Sequence, residues 1–265
     1  MSSSPLYEWD APSYHRVADP QFAWGRRLLD SLQLGGDEVV IDAGCGSGRL
    51  TRLLLERLPR GRVIAIDLSQ QMLDSARMNL EPDFAGRIQY VQADLLDLEL
   101  DRTVDLVFST ATFHWIPDQP RLYRNLAHAL RPGGRLIAQM GGKGNLARLL
   151  SRAENIMREP AYSPYFGEEV WPWQFPDEAQ TRERLEAAGF SNVEAKLFEE
   201  PTTFRDAGAF RDFTRTVNFR LHLQRIPEPR LQDAFLDRIV EAASGDRPPY
   251  TLDYWRLNMK ATRSR

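Results

Sequence analysis

The sequence predicts an α/β fold: a doubly wound, mostly parallel sheet of seven strands carrying a helical cap. Three observations lead there. From residue 37 to 140, short apolar runs alternate with longer amphipathic stretches. A turn with glycine at alternate positions, Gly44, Gly46 and Gly48, follows the first run directly. After residue 140, two segments interrupt the alternation before it resumes. Strand, helix, strand in repetition implies right-handed crossovers and a sheet covered on both faces.

The first five strands are EVVIDAG, RVIAIDLS, IQYVQAD, VDLVFST and RLIAQM. Each is apolar on successive residues, as strands buried on both faces require. Between the first two, Leu50, Leu53, Leu54 and Leu58 fall at helical spacing. After the second, Ser69 is placed to cap a helix whose stripe is Met72, Leu73, Ala76 and Leu80. A third helix follows PDQP and stops at Pro132, Gly133 and Gly134. Residues 177–203 return to a core helix ended by Gly189 and a sixth strand, SNVEAKLFEE. YTLDYWRLNMKATR reads as one long final strand. The expected organisation is an N-terminal helical lid over 1–34, a core over 35–140 and an aromatic-rich cap insertion over 141–176. Core helix and strand follow over 177–203, a helical cap insertion over 204–249 and a last core strand over 250–265.

Composition narrows the function. The 265 residues carry a formal net charge of −3, so nothing draws the chain to a polyanion, and nucleic acid is not an expected partner. No apolar run approaches the roughly 20 residues that cross a bilayer, and the first residues lack a secretory pattern. With a single cysteine, Cys45, the expected setting is a reducing cytoplasm. A monomer is the favoured state. No metal is expected, because His, Cys and acidic residues do not cluster at ligand spacing.

The chemistry sits at the glycine turn. In an open α/β sheet, ligands bind at the carboxyl ends of the strands where their order reverses. A dinucleotide loop would have its third glycine where Arg49 stands, and a phosphate-binding loop would need Gly-Lys-Ser/Thr. Neither pattern is present. Asp67, ending the second strand, is placed to accept both hydroxyls of a ribose. The third strand ends in Ala93, Asp94 and Leu95. Asp94 can accept from an adenine amine, with Leu68 and Met72 over the ring faces. A nucleoside is provided for, without its phosphates.

Residues 37–140 resemble the class I S-adenosylmethionine-dependent methyltransferases, and within them the trans-aconitate methyltransferase-like branch. VVIDAGCGSG, VIAIDLSQQML, VQADLLDL, STATFHWIPD and LRPGGRLIAQM carry the resemblance, in the expected order. It implies S-adenosyl-L-methionine as cofactor and S-adenosyl-L-homocysteine as its product. The implied roles are the methionine portion against Gly44 and Gly46, ribose on Asp67 and adenine on Asp94. Asp42 would tie down loop amides or the cofactor ammonium. The family's N-terminal helices close over the cofactor, which brings in Tyr14 and Trp24. Ser109 and Cys45 complete the expected cofactor set, although Cys45 has no base or metal partner beside it and reads first as a small space-filler.

The implied reaction is methyl transfer to a small molecule, with O-methylation of a carboxylic acid expected. The alternatives are C- or N-methylation of an apolar metabolite, or a non-catalytic cofactor-binding module. A carboxylate acceptor needs no general base, so the lack of a catalytic triad does not count against activity. The fourth strand lacks the Asp/Asn-Pro-Pro-Tyr/Phe motif of nucleic-acid amino methylases. His114 and Trp115, just past that strand, are the catalytic and substrate-binding candidates, or they pack the loop. Tyr165, Phe166, Trp171 and Trp173 in the first insertion form a substrate wall or a compact cap core. Arg211 and Arg215 read as solvated, with one arginine of that run a possible carboxylate partner.

Overall fold

The computed structural model describes residues 19–100, 103–167 and 171–265. Seven strands form the central sheet: β1 (Val39–Ala43), β2 (Arg62–Asp67), β3 (Ile88–Gln92), β4 (Val104–Thr110), β5 (Leu130–Gly141), β6 (Phe190–Glu199) and β9 (Trp255–Arg263). A separate ladder pairs β7 (Thr202–Thr203) with β8 (Thr251–Leu252). The sheet order is β3-β2-β1-β4-β5-β9-β6. The first five strands run parallel, while β9 runs antiparallel to both β5 and β6. The last strand therefore enters the sheet rather than extending its edge.

Alternate residues of the strands feed two different cores. Ile41, Ile66, Val107 and Leu136 face a cluster with Tyr123 and Leu126 of α4 (Gln119–Ala129) and Leu185 of α6 (Glu178–Ala187). Val40, Val63, Leu106 and Phe108 face the other side. There they meet Leu28 of α1 (Asp19–Asp30), Leu54 of α2 (Arg49–Arg57) and Leu80 of α3 (Gln70–Phe84). Burial on both faces explains the successive apolar residues of β1, β2, β4 and β5; β3 and β6 are more exposed and more polar. Helix boundaries follow local chemistry. Ser69 accepts the Met72 amide at the start of α3, and Asp177 with Gln180 forms a capping box on α6.

A third cluster lies beyond the sheet. It joins α5 (Ala147–Met157), α7 (Ala207–Phe213), α8 (Arg220–Leu223) and α9 (Pro229–Ser244) through Leu149, Ile156, Phe210, Phe219, Phe235 and Ile239. Trp24 and Tyr254 belong to the same cluster and connect it to α1 and β9. Between α7 and α8 the chain makes a π-helical turn, Thr214–Asn218.

The long final strand is interrupted, contrary to expectation. Asp253 leaves the ladder: its carboxylate accepts the Arg148 amide at 2.8 Å and its carbonyl the Leu146 amide at 2.9 Å. Those bonds satisfy orphan amides at the start of α5, which competes successfully for this stretch of backbone. β9 consequently starts at Trp255.

Candidate functional site

The strand order reverses between β1 and β4, and the glycine loop leaves β1 at that point. Its three glycines serve different neighbours. All have positive φ. A Cβ on Gly44 would lie 2.1 Å from Thr112 Oγ1, and one on Gly48 would lie 2.7 Å from Leu80 Cδ1. These two are small so that the β4 loop and α3 can approach. Gly46, at φ +54, would meet nothing within 4 Å. Of the two glycines expected to border a ligand, Gly44 has Thr112 on the side a Cβ would take and Gly46 has open space there.

Asp67 braces the loop. Its carboxylate accepts the Gly46 amide and the Ser69 amide, each at 2.9 Å. Asp42 lies behind, 3% exposed, accepting the Thr51 hydroxyl at 2.6 Å. Burial pushes its carboxyl up to about 7, with the nearby Asp67 charge adding to the rise and Thr51 opposing it. Asp94 is exposed, and its carboxylate accepts the Leu96 amide at 2.9 Å.

The other expected cofactor neighbours divide. Leu68 and Ala93 are half-buried beside Asp67 and Asp94, and Met72 is buried at the start of α3. Leu95 points into the core with Ile66 and Leu126 rather than outward. Ser109 is turned inward too, donating its hydroxyl to the Ala43 carbonyl at 2.7 Å. Cys45 packs against Ala65 and Leu73, and burial pushes its thiol well up, so it stays neutral and fills space. Tyr14 lies outside the described residues.

Past β4, Ala111 takes a left-handed conformation at φ 55 and turns the chain so that Thr112 covers Gly44. His114 follows, buried, its Nδ1 accepting the Gly141 amide at 3.4 Å. Nε2 therefore carries the ring proton and acts as a donor. Burial, and then the Arg256 charge, hold His114 well below the usual histidine range, so the ring is neutral.

From His114 a circuit of side chains runs by way of the cap to Arg256. Its ring lies 5.6 Å from Trp115, Trp115 lies 5.3 Å from Trp173, and Trp173 lies 6.0 Å from His222. His222 meets Phe219 edge-on at 6.2 Å. The neighbouring Asn218 donates to the Tyr254 hydroxyl at 3.5 Å, Tyr254 meets Trp24 at 4.8 Å, and Arg256 lies over the Trp24 ring at 4.6 Å. The Arg256 charge also acts on His114. Within it, Trp173 Nε1 and Asn218 Oδ1 are buried with no hydrogen-bond partner among the described residues.

Of the expected wall residues, Trp115 and Trp173 are in this circuit. Trp171 stacks on Trp173 at 5.5 Å, and Phe166 reaches His222 at 6.3 Å. Tyr165 instead directs its hydroxyl to Glu228 at 3.0 Å, beside the start of α9. Arg211 and Arg215 pair with Asp233 of α9. Nothing in the sequence marks Arg256 as a charge acting on His114. Arg256 looked like one polar step of an alternating strand. No group of three or more His, Cys, Asp and Glu among the described residues could hold a metal, and no described helix is long and apolar enough to cross a membrane.

Comparisons with known proteins agree with this architecture. Residues 40–134 match the family described as methyltransferase domain. The chain is 31% identical over 255 residues to the trans-aconitate 2-methyltransferase of Methylobacterium radiotolerans, covering 92% of each chain. It is 40% identical over 132 residues to that of Azoarcus sp., half the length of each. Among solved structures, the phosphoethanolamine N-methyltransferase 2 of Haemonchus contortus, in complex with phosphomonomethylethanolamine and S-adenosylhomocysteine, superposes with a TM-score of 0.62 and 18% identity. That match covers 96% of this chain and 57% of the other. The chain belongs to the trans-aconitate methyltransferase-like branch of the class I methyltransferases, enzymes that use S-adenosyl-L-methionine.

Proposed function

We propose that this enzyme O-methylates a small carboxylic acid beside this circuit of side chains, beyond β4 and β5. The supporting observation is a buried arginine, Arg256, set beside the neutral donor His114 at the carboxyl ends of those strands. The names of the two relatives point to the same acceptor chemistry.

S-adenosyl-L-methionine supplies a methyl group on a sulfonium, ready for in-line displacement. The chain's residues fit it. Gly46 leaves space for its amino-acid portion, and Asp67 stands beside it for the ribose hydroxyls. Asp42 faces the loop's inner side, where an ionised carboxylate favours the ammonium. Asp94 stands for the adenine amine, with Leu68 and Met72 at the ring faces. Trp24 closes the far side, and Trp115 and Trp173 wall the acceptor.

An acceptor carboxylate is already nucleophilic at neutral pH, so no residue needs to remove a proton. His114 Nε2–H then orients an acceptor oxygen. Alignment and exclusion of water are what the aromatic walls provide, effects worth up to about 7 to 11 kcal/mol in well-oriented reactions. Incubation with methyl-labelled S-adenosylmethionine and a panel of acids, phenols and amines tests the reading. The expected products are esters that release the label in mild alkali. Label in alkali-stable products only would refute carboxylate methylation.

A further inference from the structure

We infer that the acceptor acid carries a hydroxyl group close to its carboxylate, and that Asn218 of the cap, together with Trp173, selects for it. The inference rests on the carboxylic-acid reading above and names a feature of the acceptor which that reading leaves open.

An irregularity in the cap places Asn218. Thr214–Asn218 is a π-helical turn between α7 and α8, closed by the Phe219 amide on the Thr214 carbonyl at 2.8 Å. Such turns are rare and recur at functional sites. Here the turn ends on an asparagine that is only 4% exposed. Its Nδ2 makes one long hydrogen bond, to the Tyr254 hydroxyl at 3.5 Å, and its Oδ1 has no partner among the described residues. Neither feature serves the packing of the cap. Asparagine is a poor helix former, and an amide oxygen buried without a donor costs stability. A donor that arrives with a ligand removes that cost.

Trp173 supplies the opposite half. The Gln174 amide donates to the His114 carbonyl at 2.8 Å, which ties this stretch of the cap to the loop carrying His114. The Trp173 ring stacks between Trp171 at 5.5 Å and Phe175 at 5.9 Å and meets Trp115 edge-on at 5.3 Å. His114 lies against the same Trp115 and Phe175, at 5.6 and 5.9 Å. Held in this way, Trp173 Nε1 is buried with no partner among the described residues. His222, whose ring is 6.0 Å from Trp173, follows one turn after Asn218. Neighbouring walls beside His114 therefore present one unused donor and one unused acceptor.

A single small group answers both. A hydroxyl donates one hydrogen bond and accepts others, whereas a carboxylate only accepts and an ammonium only donates. A carboxylate alone leaves Asn218 Oδ1 unmatched. The pattern fits a hydroxy acid, with its carboxylate at His114 and its hydroxyl between Trp173 Nε1 and Asn218 Oδ1. An analogue without the hydroxyl leaves both buried atoms unpaired, and a site built to bond a hydroxyl rejects such analogues strongly.

The test uses two pairs of acids that differ by one hydroxyl: citrate with tricarballylate, and 3-hydroxybutyrate with butyrate. Leaving a buried hydrogen-bonding group unpaired corresponds to about 5- to 150-fold. Wild type is expected to show a kcat/KM higher by about that factor for the hydroxylated member of each pair it methylates. Asn218→Leu, close in volume, is expected to bring the ratio to within about twofold of one, with calorimetric affinity for S-adenosylmethionine unchanged within the same limit. Trp173→Phe keeps the ring stack without the N–H; it is expected to lower the ratio and serves if the Leu variant does not fold. Equal kcat/KM within the pairs, a preference that survives both substitutions, or a loss confined to cofactor affinity would overturn the proposal. If wild type methylates none of the four acids, the carboxylic-acid reading fails first. Calorimetry on the S-adenosylhomocysteine-loaded protein then decides about the hydroxyl. Tighter binding of the hydroxylated member that Asn218→Leu abolishes upholds the selection, and equal or absent binding overturns it.

Discussion

Replacing Asp42 with Asn should make the unliganded protein more stable and the enzyme worse. Asp42 is 3% exposed, and its carboxyl is pushed from 3.8 up to about 7 by burial. The interval, at about 1.4 kcal/mol for each tenfold change in proton affinity, is about 4 kcal/mol. The sign follows from proton uptake. Between pH 3.8 and about 7 the folded protein holds a proton on Asp42 that the unfolded chain has lost. Stability from this group is therefore complete below pH 3.8, falls as pH rises through about 7, and stays low above it. Asn keeps the shape and still accepts the Thr51 hydroxyl without the buried charge. Urea unfolding of the cofactor-free protein should find Asp42→Asn more stable by up to about 4 kcal/mol at pH 8.5, and by only about 1 kcal/mol at pH 4.5. Calorimetry should find its affinity for S-adenosylmethionine at least tenfold weaker, since the proposed counter-charge to the ammonium is gone. A variant destabilised to the same extent at both pH values would show that Asp42 is structural and that its charge is not held at a cost.

The two loop glycines should fail differently. Gly46→Ala is expected to cost only about 1 to 2 kcal/mol of stability, the penalty of left-handed backbone, while cofactor affinity falls more than tenfold. Gly44→Ala should lower the melting temperature further because of the collision with Thr112, and adding Thr112→Gly should recover part of the loss. Because His114 stays neutral, kcat should show no step between pH 6 and 8 that His114→Gln removes; finding one would refute the donor assignment. Asp246, 7% exposed, takes a bidentate contact from Arg152 at 2.6 and 3.0 Å, tying α5 to the end of α9. Asp246→Ala should cost about 3 kcal/mol in urea unfolding by leaving that guanidinium without its partner.

β1, β2, β4 and β5 could be read from sequence because their middles are buried on both faces and therefore apolar on successive residues, a signal needing no knowledge of neighbours. The positions of Asp67 and Asp94 could be read for a related reason: in a parallel sheet the carboxyl end of every strand points to one side. Arg256 could not. Its role depends on β9 entering antiparallel between β5 and β6, a pairing of residues far apart in the chain. The cap resisted reading as well. α5 was hidden in a segment crowded with aromatics and prolines, and the contact between Asn218 and Tyr254 requires a π-helical turn that no periodicity announces. Tyr165 illustrates the limit of reading by residue type: an aromatic among aromatics, it is drawn away by Glu228.

The late entry of β9 has a consequence for how the enzyme matures during synthesis. The nucleotide-recognising half, β1 to β4, can assemble from its own local crossovers while translation is under way. The acceptor half has to wait, because β6 gains its place only after residues 255–263 have emerged and slipped in beside β5. The side facing the acceptor is therefore the last part of the sheet to be completed.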